Sequence, residues 1–233
     1  MNAPITNHQT DDDHSLTERA YRAISHAIAR LELKPGESLT QDRLAKWLAI
    51  SRTPVREALR RLEQDGILQT APGRGLIVAE LTIKDADDLL EMLCLLDTQA
   101  ACLAAQRRTP AQAERLLAIA QELMVAAERY DIEAWDRIDQ PYHETLLDAS
   151  NNLYLRRSIE DVRRRLQRIT YHLSRQPEHL LEGSREHVAL ARAIADCDAD
   201  AAARVQRQHL ETMRTMALQL IRTHIIPVRG ERF

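Results

Sequence analysis

The sequence predicts a mainly helical protein in two parts, a small turn-containing domain followed by a larger, nearly all-helical one. The 233-residue chain contains only six glycines, while Ala, Leu, Arg, Glu and Gln, which enter a helix at low cost, are abundant. The 150 residues that follow the first third of the chain contain only Gly183. The other glycines before residue 80 are clustered: Gly36, Gly66, Gly73 and Gly75. Tight turns are therefore concentrated near the N-terminus, and the domain boundary is expected near residue 80.

Composition narrows the class of protein. Hydrophobic residues make up 44% and charged residues 29% of the chain, which is typical of a folded, water-soluble protein. The formal net charge is −3, so any basic surface for nucleic acid must be local. No apolar run approaches the roughly 20 residues that span a bilayer, and the polar, acidic start is unlike a signal peptide. We therefore expect a cytoplasmic protein with no membrane partner.

The first part of the chain contains three amphipathic helical segments followed by a hairpin. Apolar residues recur at three- and four-residue spacing in each helical segment, which marks one buried face. Two short aliphatic runs flank a glycine-bearing loop, which is typical of a hairpin. The predicted elements are helices over about residues 16–33, 41–49 and 51–66 and strands over residues 67–70 and 76–78. They make a winged helix-turn-helix over residues 16–79, after a tail over residues 1–15 that we expect to be disordered.

Six further helices are predicted after residue 80. Thr82 and Asp85 form a capping-box-like start for the first, and Pro110 suits the first position of the second. The predicted helices cover about residues 82–107, 110–129, 132–149, 152–174, 184–196 and 199–223. Because the links are short, we expect an antiparallel six-helix bundle over residues 80–225, followed by a C-terminal tail over residues 226–233.

Arginines are concentrated at the start of the third helix. The first turn of a recognition helix enters the major groove, where arginine binds guanine and Ser or Thr hydroxyls suit phosphates or bases. The hairpin tip is placed to reach the adjacent minor groove. Arginines alone more often form a solvated basic face, but the surrounding helix-turn-helix and hairpin favour DNA. The predicted DNA-contacting residues are Ser51, Arg52, Thr53, Arg56, Gly73 and Arg74.

Four side chains in the second part have the spacing of metal ligands. Asp139 and His143 lie four residues apart, about 6 Å along one helix face. His187 is on the fifth bundle helix, and His209 follows 22 residues later on the sixth. Three imidazoles and one carboxylate suit Zn, Ni, Mn or Fe and leave positions for water or an incoming carboxylate. A lone histidine is more often a satisfied polar residue, so this hypothesis depends on the combined spacing. His179 is a rival that we expect in a loop.

These motifs carry a resemblance to one family of DNA-binding proteins. The segment from Ser51 to Glu63, Ser-Arg-Thr-Pro-Val-Arg-Glu-Ala-Leu-Arg-Arg-Leu-Glu, resembles the N-terminal domain of GntR-type bacterial transcription regulators. The resemblance also includes Leu33-Lys-Pro-Gly36, Leu44-Ala45, Gly66 and Gly73-Arg-Gly75. It implies that Arg52, Thr53 and Arg56 contact operator DNA and that Gly73 lies in the wing.

The second part resembles the FCD effector domain of the FadR subfamily. The resemblance rests on Asp139-x-x-Tyr142-His143, Glu186-His187 with Ala193-Ile194, and Asp198 before His209-Leu210. It implies that Asp139, His143, His187 and His209 bind a metal ion and that a small organic acid completes the coordination of that ion.

The chain departs from these patterns at positions that bear on binding. Many GntR relatives have an arginine where this chain has Asp42, a carboxylate that would repel phosphate. FCD relatives usually place an arginine near Leu93 to hold an anionic effector, and a glutamate at Asp97. Arg137 and Arg164 are the candidate replacements for that arginine. The run Arg163, Arg164, Arg165 and Arg168 spirals around its helix, which favours a solvated surface.

Pro141 stands between two predicted ligands. It cannot donate a hydrogen bond to the carbonyl of Arg137, so it either kinks the helix and aims His143 inward or marks a helix start near residue 139.

The preferred interpretation is a ligand-responsive transcription factor in which the effector relieves repression. One winged domain reads few base pairs, so we expect a homodimer on a palindromic operator, joined through the first and fourth bundle helices. One rival is a metal-dependent enzyme that uses the three-histidine, one-aspartate site; no additional acid or base stands at a fixed offset from the ligands. Another rival is a purely structural metal.

Overall fold

The structure, a computed structural model, describes residues 8–223, with side chains from Ser15 onward. The chain divides into two compact units after Leu81. The first unit contains three helices and one two-stranded antiparallel sheet: α1 (His8–Ala29), α2 (Gln41–Leu48), α3 (Arg52–Gln64), β1 (Leu68–Ala71) and β2 (Gly75–Val78). This order confirms the predicted winged helix-turn-helix.

The core of the first unit is formed where α1 packs on α3 and the sheet covers them. Ile24, Ile28, Val55 and Leu62 are fully buried there, at the spacing that predicted the helices. The strands pair with Leu68 opposite Val78. The chain between α1 and α2 also pairs with β2, since the Leu39 amide donates to the Leu76 carbonyl at 2.8 Å. This extra pairing was not predicted.

Helix α1 begins and ends earlier than predicted. It starts at His8, so the expected disordered tail over residues 1–15 is wrong for residues 8–15; residues 1–7 lie outside the described residues. Those first residues are polar and offer no apolar period, so periodicity could not extend the helix toward them. The helix ends at Ala29, and Leu31 takes a left-handed conformation with φ 61°. Leu33 rejoins the core beyond this break.

The second unit is a bundle of six helices: α4 (Ile83–Arg107), α5 (Pro110–Glu128), α6 (Ile132–Ser150), α7 (Leu153–Leu173), α8 (Pro177–Ala195) and α9 (Ala199–Arg222). The predicted capping box at Thr82 and Asp85 is present. The predicted C-terminal tail over residues 226–233 lies outside the described residues. Among the helices of residues 8–223, none combines the length and apolar character that crossing a membrane requires.

Two local predictions in the bundle are corrected. Helix α8 begins at Pro177 instead of near residue 184, so His179, which we expected in a loop, lies on a helix. Gly183 lowers the helical signal there, whereas Pro177 at the first helical position was a valid start signal. Pro141 lies inside α6, so the interpretation as a helix start near residue 139 is wrong.

Candidate DNA-reading surface and metal pocket

The start of α3 presents exposed polar and basic side chains. Ser51 is the N-cap residue, yet its side chain makes no capping hydrogen bond, and the first turn has no acidic residue. Arg52, Thr53 and Arg56 are all exposed. Because unpaired backbone N–H groups give a helix N-terminus a partial positive charge, the position favours an anion such as a phosphate.

The arginines of α3 differ in their ion-pair partners. Arg52 Nε lies 2.7 Å from a carboxylate oxygen of Asp42, whereas Arg56 Nε is 3.6 Å from Glu57. Arg61 has a different role, since it pairs with Glu18 at 2.7 Å and its guanidinium lies 4.0 Å from the ring centre of Tyr21. Arg61 therefore joins α1 to α3, and the exposed arginines near the start of α3 remain available to DNA.

Asp42 has a partner in this chain that the sequence analysis did not foresee. Both Asp42 and Arg52 are exposed, so the pair is an exchangeable surface interaction worth little to stability. Its consequence is local: the carboxylate that replaces the family arginine neutralises Arg52 in the free protein. A phosphate or base that engages Arg52 has to compete with Asp42.

The wing ends in a Pro-Gly turn. The Arg74 amide donates to the Ala71 carbonyl at 3.1 Å, and Gly73 has φ +69° at the third position of the turn, where a type II turn requires a positive φ. A Cβ on Gly73 would meet no atom within 4 Å, so the tip is open. The Arg74 guanidinium donates to the Gly36 carbonyl, which folds it back over the wing. Its reach into the minor groove stays a prediction.

The structure brings three of the four predicted metal ligands together. Donor atoms of Asp139, His143 and His187 all lie within 4.8 Å of one another. Asp139 and His143 come from α6, with 3.4 Å between carboxylate and ring nitrogen, and His187 comes from α8. Trp135 Nε1 donates to Ser184 Oγ at 2.9 Å, which ties α6 to α8 beside the cluster.

The polar atoms of this cluster fit a metal ion. His187 is 3% exposed, and neither of its ring nitrogens has a hydrogen-bond partner among the described residues. Asp139 Oδ1 is likewise buried without a hydrogen bond within that part of the chain. Leaving such groups unpaired is costly. Two imidazole nitrogens and one carboxylate oxygen are ligands that divalent transition metals accept, so an ion here would satisfy them.

Electrostatics favour the protonation states that a metal requires. Burial lowers the pKa of His187 well below its ordinary value, and the charge of His209 lowers it further. Burial acts to raise the pKa of Asp139, but the interaction with the neighbouring His143 and then the charge of Arg163 outweigh it and leave the pKa below its usual range. The result is a neutral imidazole beside an ionised carboxylate.

Tyr142 supports the cluster and does not itself ionise. Burial, followed by the charge of Asp139, raises the pKa of its hydroxyl above the ordinary value. The neutral hydroxyl donates to the His187 carbonyl at 3.0 Å. Tyr142 therefore fixes the backbone that carries His187.

His209 lies beside the three-residue cluster. Its ring centre is 5.0 Å from that of His187, and its Nδ1 is 2.7 Å from Glu186 Oε2. An ionised carboxylate accepts hydrogen bonds, so Glu186 favours the tautomer with hydrogen on Nδ1 and leaves Nε2 free for a metal. The role of His209 as fourth ligand stays a prediction.

Sequence reasoning undervalued His179. Its ring stacks on that of His209 with centres 6.2 Å apart, and burial lowers its pKa to about 4. A Cβ on Gly183 would lie 3.5 Å from His209 Cε1 and 3.8 Å from His179 Cε1. His179, Gly183 and His187 follow a four-residue spacing on α8, which the sequence contained as a signal.

The candidate effector-binding arginines have different surroundings. Leu93 is 2% exposed in the core, so no charge enters there. Arg137 is exposed, and Arg164 Nη2 lies 3.3 Å from Asp161 on the same helix. Arg163, which we assigned to a solvated surface, donates to Asp97 at 2.6 Å and its charge lowers the pKa of Asp139. Arg168 is also buried, against the same assignment.

Comparisons with known proteins agree with both units. Residues 16–78 match the family described as bacterial regulatory proteins, gntR family, and residues 88–212 match the FCD domain. A protein of Agrobacterium vitis, an uncharacterized HTH-type transcriptional regulator in the TAR-I ttuE-ttuC' intergenic region, is 39% identical over 131 residues, covering 55% of this chain and 77% of that protein. The HTH-type transcriptional repressor RspR of Escherichia coli is 25% identical over 91% of this chain and 93% of its own length.

A solved structure extends the agreement to the fold. The structure of E. coli McbR/YncC has a TM-score of 0.75 and 26% identity, covering 88% of this chain and 97% of that chain. The matched segments fall within the two compact units; α3 lies inside the gntR match, and Asp139, His143 and His187 lie inside the FCD match. The chain therefore belongs to the GntR family of bacterial regulatory proteins, in the group with a C-terminal FCD domain, and is a DNA-binding transcriptional regulator.

Proposed function

We propose that this protein is a metal-dependent repressor whose operator affinity is controlled by a small organic acid. The helical unit holds one divalent ion, Zn, Ni, Mn or Fe, on Asp139, His143, His187 and His209. The observation that carries this proposal is the pair of buried His187 nitrogens that lack hydrogen-bond partners among the described residues and lie beside an ionised Asp139. In a neutral imidazole one ring nitrogen can bind an ion while the other carries the proton.

An ion held by these residues would supply a Lewis acid for a carboxylate of the effector. Side chains of this protein orient the histidines that would bind the ion. Glu186 holds His209 by its Nδ1, and Tyr142 holds the backbone of His187. With four protein ligands, a six-coordinate ion would keep two positions for an incoming oxygen. The predicted effector contacts Arg137 and Arg164 belong to this proposal.

The DNA-binding half acts through the start of α3 and the wing. The proposed contacts to operator bases and phosphates are Ser51, Arg52, Thr53, Arg56, Gly73 and Arg74. The absence of a side-chain cap on α3 leaves the Ser51 hydroxyl for DNA. The base-reading arginines are exposed and held by surface ion pairs that DNA can exchange.

The active form is a homodimer that binds a palindromic operator. Its interface lies on α4 and α7, where large apolar side chains are exposed. These side chains are Met92, Leu95, Leu153 and Tyr154. The effector controls the dimer by binding its DNA-competent and DNA-incompetent arrangements with different affinity.

The experiment is operator binding by the full chain under metal control. Protein purified without chelator is analysed for metal, and its retention on DNA from its own promoter is measured by fluorescence anisotropy while metal and organic acids are varied. We expect salt-sensitive specific retention that an acid weakens only when the metal is present. Metal-dependent turnover without retention would establish the enzyme. Unfolding on chelation, with no acid that shifts operator affinity, would establish a structural metal.

A further inference from the structure

Asp42 and Arg52 join the first turns of the two helices of the helix-turn-helix. Asp42 lies in the first turn of α2, after the N-cap residue Thr40, and Arg52 is the first residue of α3. A carboxylate oxygen of Asp42 lies 2.7 Å from Arg52 Nε, and both side chains are exposed. In the part of the chain that the structure describes, Arg52 has no other ion pair. The contact is therefore a solvent-facing pair at the start of the reading helix.

The Nε contact leaves the other side of the Arg52 guanidinium open. A guanidinium carries one N–H on Nε and four on its two terminal nitrogens, all in one plane. Among the described residues, neither Nη1 nor Nη2 of Arg52 has a hydrogen-bond partner. Competition with Asp42 is therefore greatest on the Nε side. The two terminal nitrogens can donate in parallel to the O6 and N7 acceptors of one guanine.

The Asp42 carboxylate distinguishes between the two kinds of acceptor that DNA offers to Arg52. A phosphate bound to Arg52 would bring a full negative charge close to Asp42, and like charges repel. The O6 and N7 atoms of guanine belong to a neutral base, so Asp42 opposes them much less. Phosphate contacts carry no sequence information, whereas contacts to base edges do. Asp42 therefore disfavours the contact that is independent of sequence.

Asp42 also lines the groove between the reading helix and the wing. This open groove, with a volume of about 600 Å³, lies between the start of α2, α3 and the hairpin, and Arg56 lines it as well. Arg56 differs from Arg52 in its acidic neighbour, because Glu57 lies 3.6 Å from Arg56 and 3.5 Å from Arg60. Arg52 is therefore held more closely than Arg56, by a carboxylate that comes from a different helix.

We propose that Asp42 is a positioning residue that makes Arg52 a reader of guanine. This inference rests on the proposed function, because it requires contact between Arg52 and operator bases. Asp42 holds the guanidinium by Nε and directs Nη1 and Nη2 toward O6 and N7 of one guanine in the major groove. The same carboxylate disfavours a phosphate at Arg52. Each half-site of the operator then contains a guanine whose recognition depends on both residues.

The test begins with selection of operators by the full chain from a library of duplexes with a randomised centre. Fluorescence anisotropy with single base-pair replacements in one half-site then measures the base preference at each position. Arg52→Ala identifies the base pair that Arg52 reads, since the preference at that position should disappear. In the unmodified chain we expect guanine to be preferred there by about 5- to 150-fold, the value of a bidentate contact.

Variants of Asp42 separate positioning from a general effect of charge. Asp42→Asn keeps the size of the side chain and removes its charge, so the guanine preference should fall below about threefold while affinity for unrelated DNA rises. Asp42→Glu keeps the charge and displaces the carboxylate, so affinity for unrelated DNA should stay low while the guanine preference falls. Glu57→Gln is the matched control, since it removes another carboxylate beside arginines of α3. It should raise affinity for all duplexes and keep the guanine preference.

Several results would overturn this inference and leave the proposed function intact. A guanine preference that survives in Asp42→Asn would show that Asp42 does not position Arg52, and Asp42→Glu gives the same comparison if Asp42→Asn fails to fold. An equal loss of preference in Glu57→Gln would assign the effect to net charge. Unchanged base preferences in Arg52→Ala would restrict Arg52 to the DNA backbone. Failure of the proposed function has a different signature: no duplex is enriched from the library, or no acid changes operator retention.

Discussion

The DNA-reading start of α3 and the candidate metal pocket differ in how their polar side chains are exposed and paired. At the start of α3, exposed arginines are held by surface carboxylates at 2.7–3.6 Å and can exchange them for DNA. In the pocket, histidine and carboxylate atoms are buried, and several have no hydrogen-bond partner among the described residues. The first surface is ready to meet a large, charged partner. The second holds buried polar atoms that a bound ion would satisfy.

This difference separates two kinds of mutational effect. Removing a side chain from the reading surface should lower DNA affinity and leave the fold unchanged, because exposed ion pairs stabilise little. Removing one from the pocket should change ligand binding, stability and pH response together, because its polar groups are desolvated.

The largest effect is expected for His187→Ala. The variant removes both unpartnered ring nitrogens, so bound metal should fall from full stoichiometry to near zero and the response to organic acids should disappear with it. Metal content by elemental analysis and operator anisotropy measure the two losses. His26→Ala, at an exposed histidine of α1, is the control. Metal at full stoichiometry in His187→Ala would show that this residue is not a ligand, and the contrast between the pocket and the reading surface would lose its main support.

Arg56→Ala should have the next largest effect. A dimer loses the contact at both half-sites, each worth about 1–3 kcal/mol, so operator affinity should fall about 30-fold or more. The melting temperature should stay nearly constant, because Arg56 is exposed. Arg60→Ala is a matched control, since Arg60 is exposed and contacts the same Glu57 at 3.5 Å further along the helix. A large drop in melting temperature would mean that Arg56 is structural.

The pH dependence of stability should be smaller and specific to the pocket. The pKa of His179 is lowered from 6.5 to about 4, so below pH 6.5 the unfolded chain binds a proton that the folded chain refuses. Stability of the metal-free protein should therefore be complete above pH 6.5 and fall between pH 6.5 and about 4. The share of His179 should be on the order of 3 kcal/mol.

Denaturant unfolding at several pH values measures this share. His179→Gln should fall less steeply with decreasing pH than the unmodified chain, whereas His26→Gln should not differ from it. Identical slopes for the unmodified chain and His179→Gln would show that His179 is not buried as a neutral ring.

The smallest effect is expected for Asp42→Asn. It frees Arg52 from its ion pair, so DNA affinity should rise about three- to tenfold at low salt, within the range of exposed pairs. Discrimination between operator and unrelated DNA should not rise with it, because a freed arginine gains phosphate contacts as readily as base contacts. Asp88→Asn is a control, as Asp88 pairs with Lys84 outside the reading surface. Unchanged affinity in Asp42→Asn would show that Arg52 does not meet DNA.

Sequence reasoning served the reading surface better than the pocket for a physical reason. The residues at the start of α3 are contiguous, and Pro54 with the apolar stripe sets their helix locally. The metal cluster was predictable in part, because Asp139 and His143 share one helix face. The partnership of Asp97 with Arg163 joins residues 66 apart in sequence and leaves no local periodic signal.

The predicted helix boundaries were wrong where polar residues or a glycine interrupted the spacing of apolar residues. The polar residues 8–15 gave α1 no apolar stripe, and Gly183 hid the first turns of α8. Because the predicted α8 began near residue 184, His179 was predicted to lie in a loop. The stacking of His179 on His209 beside the pocket could therefore not be predicted.

Gly183 determines how much space is left beside two histidines of the pocket. Its φ is not positive, and a methyl group there would make only ordinary contacts at 3.5 and 3.8 Å with two histidines, so neither backbone nor crowding forbids alanine. Glycine in mid-helix sacrifices about 1 kcal/mol relative to alanine. Without a Cβ, this position leaves space beside His179 and His209. Gly183→Ala is therefore expected to stabilise α8 and to reduce the space beside these two histidines by one methyl group.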